Sequence, residues 1–134
     1  MTLITKIEGI GAAYAEKQAE AGITTVEELL ERGASPKGRK ALLEATEISA
    51  KLILKWVNRA DLFRIKGIGE EYGDLLEIAG VATVPELAQR NAANLYQKVI
   101  EVNKERKLVR HVPSENQVQS WIEQAKELPR KVTY

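Results

Sequence analysis

The chain has 134 residues, with Lys+Arg 20 against Asp+Glu 19 and a formal net charge of +1. That near balance argues against a protein built to neutralise many phosphates at high affinity. The lack of cysteine and the single histidine, His111, exclude disulfides, thiolate or His-based zinc sites, and any Ser-His-Asp triad that does not use His111.

No run approaches the roughly 20 apolar residues that span a bilayer, so no membrane partner is expected. An apolar fraction of 44% and a charged fraction of 29% fit a soluble globular protein, with the cytoplasm as the default location.

In chain order, Thr2 caps a short turn that leads into Ile7-Glu8-Gly9-Ile10-Gly11. Two glycines around one apolar residue make a tight turn, because glycine enters positive φ without steric cost. A helix over 12–21 follows and stops at Gly22. Thr25-Val26-Glu27-Glu28 predicts a capping box opening a helix that ends at Gly33. Ser35-Pro36 starts the next, through Ala41, Leu42, Leu43 and Ala45. Ser49 caps a helix with Leu52, Ile53, Trp56 and Val57 at helical spacing. Asp61 is expected to cap a short turn over 62–65 before Ile65-Lys66-Gly67-Ile68-Gly69. A helix over 70–79 stops at Gly80, and Thr83-Val84-Pro85-Glu86 predicts a second capping box. A helix around Leu95–Val102 follows, and 104–112 reads equally as a helix end or a loop. Pro113-Ser114 restarts a helix through Val118, Trp121, Ile122 and Ala125, ended by Pro129. Nothing alternates with period two long enough to be a strand, so the chain reads as all-α.

The chain also reads as two copies of one unit. Sliding 7–34 onto 65–92 leaves nearly half the positions identical, including both glycines of each turn, Tyr14 with Tyr72, and Arg32 with Arg90. Ser49, Trp56, Val57 and Ala60 then match Ser114, Trp121, Ile122 and Ala125 at a longer offset. The predicted units are 1–60 and 61–134, the second carrying an insertion near 98–112. Each alone is close to the size at which burial barely offsets chain entropy, so a shared core or interface is expected. Trp56 and Trp121 read as core. Tyr14 and Tyr72 read as half-buried tyrosines bonded to a neighbouring loop. Gln18 occupies the apolar slot of Leu76, for which the sequence offers only an exposed edge.

The pattern hydrophobic-x-Gly-hydrophobic-Gly-x-x-x-[Ala/Gly], ending on Ala15 and Gly73, resembles the helix-hairpin-helix motif. The continuation Ala-Gly-[Ile/Val]-x-Thr-Val-x-Glu-Leu resembles recombinase N-terminal domains and the C-terminal domain of the polymerase α chain. Over essentially the whole chain, two such units with a Leu-Pro-x-x-Val-Thr-Tyr tail resemble a bacterial family, domain of unknown function 4332. The resemblance implies two tandem, SAM-like helix-hairpin-helix units of four to five short helices each. It also implies sequence-independent contact with nucleic-acid backbone through hairpin N–H groups over Gly9, Ile10, Gly11 and Ala12, and over Gly67, Ile68, Gly69 and Glu70. Arg64, Lys66, Lys37, Arg39 and Lys40 would add charge. A monovalent cation on carbonyls such as Ile7, Gly9, Ile65 and Gly67 is a further implication; no other metal and no cofactor is expected.

The residues themselves qualify that implication. Glu8 stands where copy two has Lys66, and Glu70, Glu71, Asp74 and Glu77 put a carboxylate face after the second turn. Acids there suit the helix dipole but repel a phosphate. Positive charge gathers instead at Arg32, Lys37, Arg39 and Lys40, at Lys104, Arg106, Lys107 and Arg110, and at Arg130 and Lys131; such runs are most often solvated faces. The carboxylates fall at caps and on solvent faces, so no catalytic constellation is expected and the chain reads as a non-enzyme. Two functions stay open: a weak, non-catalytic nucleic-acid-binding module, and a protein-interaction or self-association module on the same scaffold.

Overall fold

The computed structural model describes residues 2–7 and 9–134, and of Glu70 only its place in a helix. Glu8 and the Glu70 side chain, named above for their charge, lie outside the described residues. The architecture is all-α: α1 (Ala12–Glu20), α2 (Val26–Gly33), α3 (Pro36–Thr46), α4 (Ala50–Leu62), α5 (Glu70–Ile78), α6 (Val84–Ala88), α7 (Ala92–Arg106) and α8 (Glu115–Glu127). A short 3-10 turn, Ile4–Lys6, precedes them. Among the described residues the only β feature is one antiparallel bridge, Leu3 with Thr25. No helix is long and apolar enough to cross a membrane among the described residues.

The chain divides into two compact units, Met1–Asp61 with Lys131–Tyr134, and Leu62–Arg130. The last four residues thus join the first unit rather than the second. Val132 is buried, the Thr133 N–H donates to the Ala34 carbonyl at 2.8 Å, and the Tyr134 hydroxyl bonds Asn58 Oδ1 at 3.1 Å. Lys131 Nζ meets Glu31 Oε2 at 2.8 Å, and that hydrogen bond and charge hold the Glu31 carboxyl below the usual carboxylate range.

In the first unit, Ile7, Ile10, Ile23, Leu29, Trp56 and Val57 form the buried interior. The Thr25 box is complete: its hydroxyl accepts from the Glu28 N–H at 3.1 Å, and Glu28 Oε1 accepts from the Thr25 N–H at 3.1 Å. Glu28 Oε1 also takes the Thr24 N–H and hydroxyl, at 3.1 and 3.0 Å. These bonds, the Thr24 N–H foremost, lower the Glu28 pKa. Two glycines permit close helix packing. A Cβ on Gly33 would collide with Val57, and one on Gly38 with the Arg32 carbonyl. Gln18 is buried rather than at an exposed edge, its Nε2 reaching the Tyr14 carbonyl at 3.5 Å.

In the second unit, Leu75, Leu76, Val81, Leu87, Leu95, Val99, Val118 and Trp121 form one core. Two local expectations change. Asp61 does not precede a separate turn: α4 runs on through Leu62 and holds Asp61, buried and partnered, in its last turn. The Thr83 box is half built. The hydroxyl donates to Glu86 Oε1 at 3.0 Å, but the Thr83 side chain accepts no N–H of α6. Ala82 and Pro85 stand where the first unit has Thr24 and Glu27, and α6 is only 5 residues long. A complete box forms instead at Ser114, with Gln117 as its reciprocal partner. The insertion resolves into both alternatives. α7 has 15 residues where α3 has 11, and the link from Lys107 to Ser114 is longer than that from Glu47 to Ser49.

Candidate nucleic-acid interface

The candidate site rests on the two glycine turns. The first glycine of each has left-handed backbone, φ +96° at Gly9 and +100° at Gly67, where a side chain costs about 1–2 kcal/mol. The Ile10 N–H donates to the Ile7 carbonyl and the Ile68 N–H to the Ile65 carbonyl, both at 3.2 Å. Those two carbonyls, offered by the family resemblance to a monovalent cation, thus already accept one bond each. Ile10 and Ile68 are buried and anchor the turns.

Packing adds a second reason for the first glycine. A Cβ on Gly9 would lie 3.5 Å from Trp56 Nε1, and one on Gly67 only 2.7 Å from Trp121 Nε1. Tyr14 meets Trp56 edge-on, ring centroids 5.0 Å apart, and Tyr72 meets Trp121 at 5.3 Å and 50°. The same Gly–Trp–Tyr stack therefore sits beneath each turn.

The second glycine has neither reason. Gly11 (φ −84°) and Gly69 (φ −113°) are the N-caps of α1 and α5, in extended backbone open to any residue. A Cβ on either would meet nothing within 4 Å. Helices α2, α3, α4, α7 and α8 close their first turns with Thr25, Ser35, Ser49, Asn91 and Ser114. Gly11 and Gly69 give α1 and α5 no such side chain, so no N-cap residue covers their first-turn N–H groups at the positive end of the helix dipole.

The basic candidates divide into free and committed groups. The Lys66 side chain is exposed, while its peptide is clasped by Gln124: the Lys66 N–H reaches Gln124 Oε1 at 2.9 Å and Gln124 Nε2 reaches the Lys66 carbonyl at 3.2 Å. Arg64 Nη2 donates to the Pro129 carbonyl at 2.8 Å. Arg39 donates to the carbonyls of Gly33 (2.9 Å), Ala34 (3.1 Å) and Thr133 (2.7 Å), with its guanidinium 5.7 Å over the Tyr134 ring. Both arginines are thereby bound into the fold. Arg32 and Arg90 act alike, each donating to the last turn of the preceding helix, at Ala21 (3.0 Å) and Ala79 (3.4 Å). Lys37 and Lys40 are exposed on α3.

Of the acids on α5, Glu71 is exposed, whereas Asp74 and Glu77 are half-buried and already have partners. Among the described residues no three His, Asp or Glu side chains converge as a metal-ligand set. The sequence reading missed Gln124, whose only local signal is its place one turn after Trp121 on α8. It also missed a link between the insertion and the second turn: the Tyr72 hydroxyl, in the first turn of α5, donates to the His111 carbonyl at 3.1 Å.

No solved structure matches the chain. The family described as Domain of unknown function (DUF4332) matches residues 8–128, and the chain belongs to that family.

Proposed function

We propose that this is a non-catalytic module of two helix-hairpin-helix units that grips nucleic-acid backbone weakly and without sequence preference. The observation that carries this reading is the glycine at Gly11 and Gly69. Stability alone favours Ser, Thr, Asp or Asn at an N-cap, and five other helices are closed by such side chains, Thr25, Ser35, Ser49, Asn91 and Ser114. Neither φ nor space demands glycine at these two positions. Glycine is the residue of choice where another group must approach main-chain N–H closely, and a phosphate oxygen is such a group. Lys66, Lys37 and Lys40 supply exposed charge, while Arg64 and Arg39 serve the fold.

The double variant Gly11→Ser/Gly69→Ser separates the two roles. A serine hydroxyl caps the first turn, so the variant should hold or gain a few tenths of a kcal/mol in stability. It also occupies the N–H groups a phosphate needs, so binding of a short labelled duplex at low salt should fall severalfold. Unchanged binding in the variant, or no binding by micromolar wild-type protein at low salt, overturns the reading.

One observation favours a second reading, a protein-interaction or assembly module. An apolar groove of about 440 Å³ runs between the 3-10 turn and α1, lined by Leu3, Ile4, Ala12, Ala15 and Ala19. Leu3 is 60% exposed at its edge. Sedimentation of the wild type against Ala15→Glu tests whether this groove supports self-association; a chain that stays monomeric at high concentration removes that form of the reading.

A further inference from the structure

The insertion of the second unit is a built loop rather than a loose charged link. Lys107 caps α7 in left-handed backbone (φ +51°), its N–H donating to the Asn103 carbonyl at 2.7 Å. The Asn103 side chain then brackets Val109: the Val109 N–H donates to Oδ1 at 2.9 Å, and Nδ2 donates to the Val109 carbonyl at 3.2 Å. Val109 is buried in the core, and Pro113 is buried at the far end. Between them the Tyr72 hydroxyl fixes the His111 carbonyl. The backbone is therefore pinned at Lys107, Val109, His111 and Pro113.

This pinned backbone displays four Lys and Arg side chains, beside the exposed Leu108 and Val112. Lys104, Arg106, Lys107, Arg110 and His111 are all exposed, with Glu105 as the one acid among them. None of the Lys or Arg side chains has an ion pair or hydrogen bond among the described residues. A solvated charge run needs no such ordering. Here the conformational cost of presenting the charges is already met by the fold, which is how a surface prepares for a ligand.

The position of the loop indicates which ligand. Tyr72 is the third residue of α5, so its bond to His111 brings the loop within one side chain's reach of the α5 N-terminus. A backbone carrying guanidinium and ammonium groups is thus tied to the helix turn that offers main-chain N–H donors, a combination suited to successive phosphates on a backbone. The acids that argue against a phosphate at this turn count for less than their number suggests, because Asp74 and Glu77 are already partnered.

We propose that the loop over Lys104–His111 is the principal phosphate-contacting surface of the second unit, its ligand a nucleic-acid backbone that also reaches the first turn of α5. This rests on the function proposed above and extends its charge: the insertion adds cations to the single exposed Lys66 of the glycine turn.

The test uses the full chain and the variant Arg106→Gln/Arg110→Gln, both positions exposed and unpaired. Anisotropy of a labelled 20-base-pair duplex and a 20-nucleotide single strand is followed across a salt series. Loss of two phosphate contacts should weaken binding roughly tenfold at low salt and reduce the salt slope by about two, with an unchanged melting temperature. The control Lys51→Gln/Lys55→Gln makes the same charge change on α4 and should leave the slope as in the wild type. Binding that is insensitive to the loop variant but lost in Gly11→Ser/Gly69→Ser overturns this proposal and leaves the hairpin reading standing. No binding of either nucleic acid overturns both. Binding of anionic lipid vesicles in place of nucleic acid, through Leu108 and Val112 together with the cations, also overturns it.

Discussion

The two units carry the same turn, the same tryptophan and the same tyrosine, yet they finish the surroundings of that turn differently. In the first unit, α1 begins Ala12-Ala13, the Thr25 box is complete, and residues 131–134 are clasped by Arg39. In the second, α5 begins Glu70-Glu71, the Thr83 box is half built, and a pinned basic loop reaches the turn through Tyr72. The shared part is what the turn needs to exist: a left-handed glycine over a tryptophan nitrogen. The divergent part is what each turn can meet. Two units that share this turn thus offer an internal control, since the same substitution can be made twice and the difference read as context.

The largest contrast should come from the first glycines. Gly67→Ala combines left-handed strain with a Cβ 2.7 Å from Trp121 Nε1, a buried ring with little room to move. We expect a loss of about 2–4 kcal/mol, from strain of about 1–2 and overpacking of 1–3. Gly9→Ala carries the same strain but an ordinary 3.5 Å contact with Trp56 Nε1, so about 1–2 kcal/mol is expected. Urea denaturation of both variants measures the gap; equal losses would show that the tryptophan contact contributes nothing.

Next comes the segment that only the first unit possesses. Arg39→Ala removes donors from three carbonyls and the cation over Tyr134. A loss of about 2 kcal/mol is expected, since hydrogen bonds from a charged group contribute more than neutral ones. Amide exchange should localise it: the Thr133 N–H, bonded to Ala34, should lose protection. Protection that survives would mean that Val132 alone holds the segment.

The caps give a smaller difference. Thr25→Ala breaks a reciprocal box and should cost about 1 kcal/mol. Thr83→Ala removes a hydroxyl that caps no N–H and only contacts Glu86, so its loss should be at most half that of Thr25→Ala. Matched losses would show that the Thr83 hydroxyl stabilises α6 as fully as Thr25 stabilises α2.

These contrasts also mark what was legible in the sequence. Caps and stops act within four residues, so Thr25, Ser35, Gly22 and Gly80 placed their helix ends directly. The Ser114 box is equally local: Pro113-Ser114 marks the helix start in the sequence, and Gln117 adds the reciprocal partner that this start signal leaves unnamed. Asp61 reads as the start of a new turn because an acid near a helix boundary looks like a cap; the apolar face of α4, continuing through Ala60 and Leu62, carries the helix past it. Contacts distant in sequence left no local pattern. Nothing near Arg39 signals Thr133, nothing near Lys66 signals Gln124, and nothing near Tyr72 signals His111. The candidate site was therefore legible in its glycines and not in its charges. Two arginines assigned to phosphate are bound to carbonyls, and the loop tied to the second turn through Tyr72, with its own cations, lies some 35–40 residues further along the chain.

The smallest expected effect concerns acid. Glu28 and Glu31 both lie on α2, and both have pKa values lowered in the fold, Glu28 by the Thr24 N–H first and Glu31 by Lys131. A carboxyl whose folded pKa lies below its unfolded value stabilises the fold above the unfolded pKa, and that contribution disappears as pH falls through the folded value. Between neutrality and about pH 5 both contributions should be fully present and constant, given unfolded carboxyl values near 4. Below that range the Thr25 box and the Lys131 contact should weaken together, loosening α2 and residues 131–134. Carboxyl NMR titration of Lys131→Met should return Glu31 to the ordinary carboxylate range and leave Glu28 where it was. The pair is exposed, so its effect should also fade in high salt. A Glu31 titration that ignores both the substitution and the salt would show that Lys131 does not hold that carboxylate in solution, leaving Arg39 and Val132 to fix the segment.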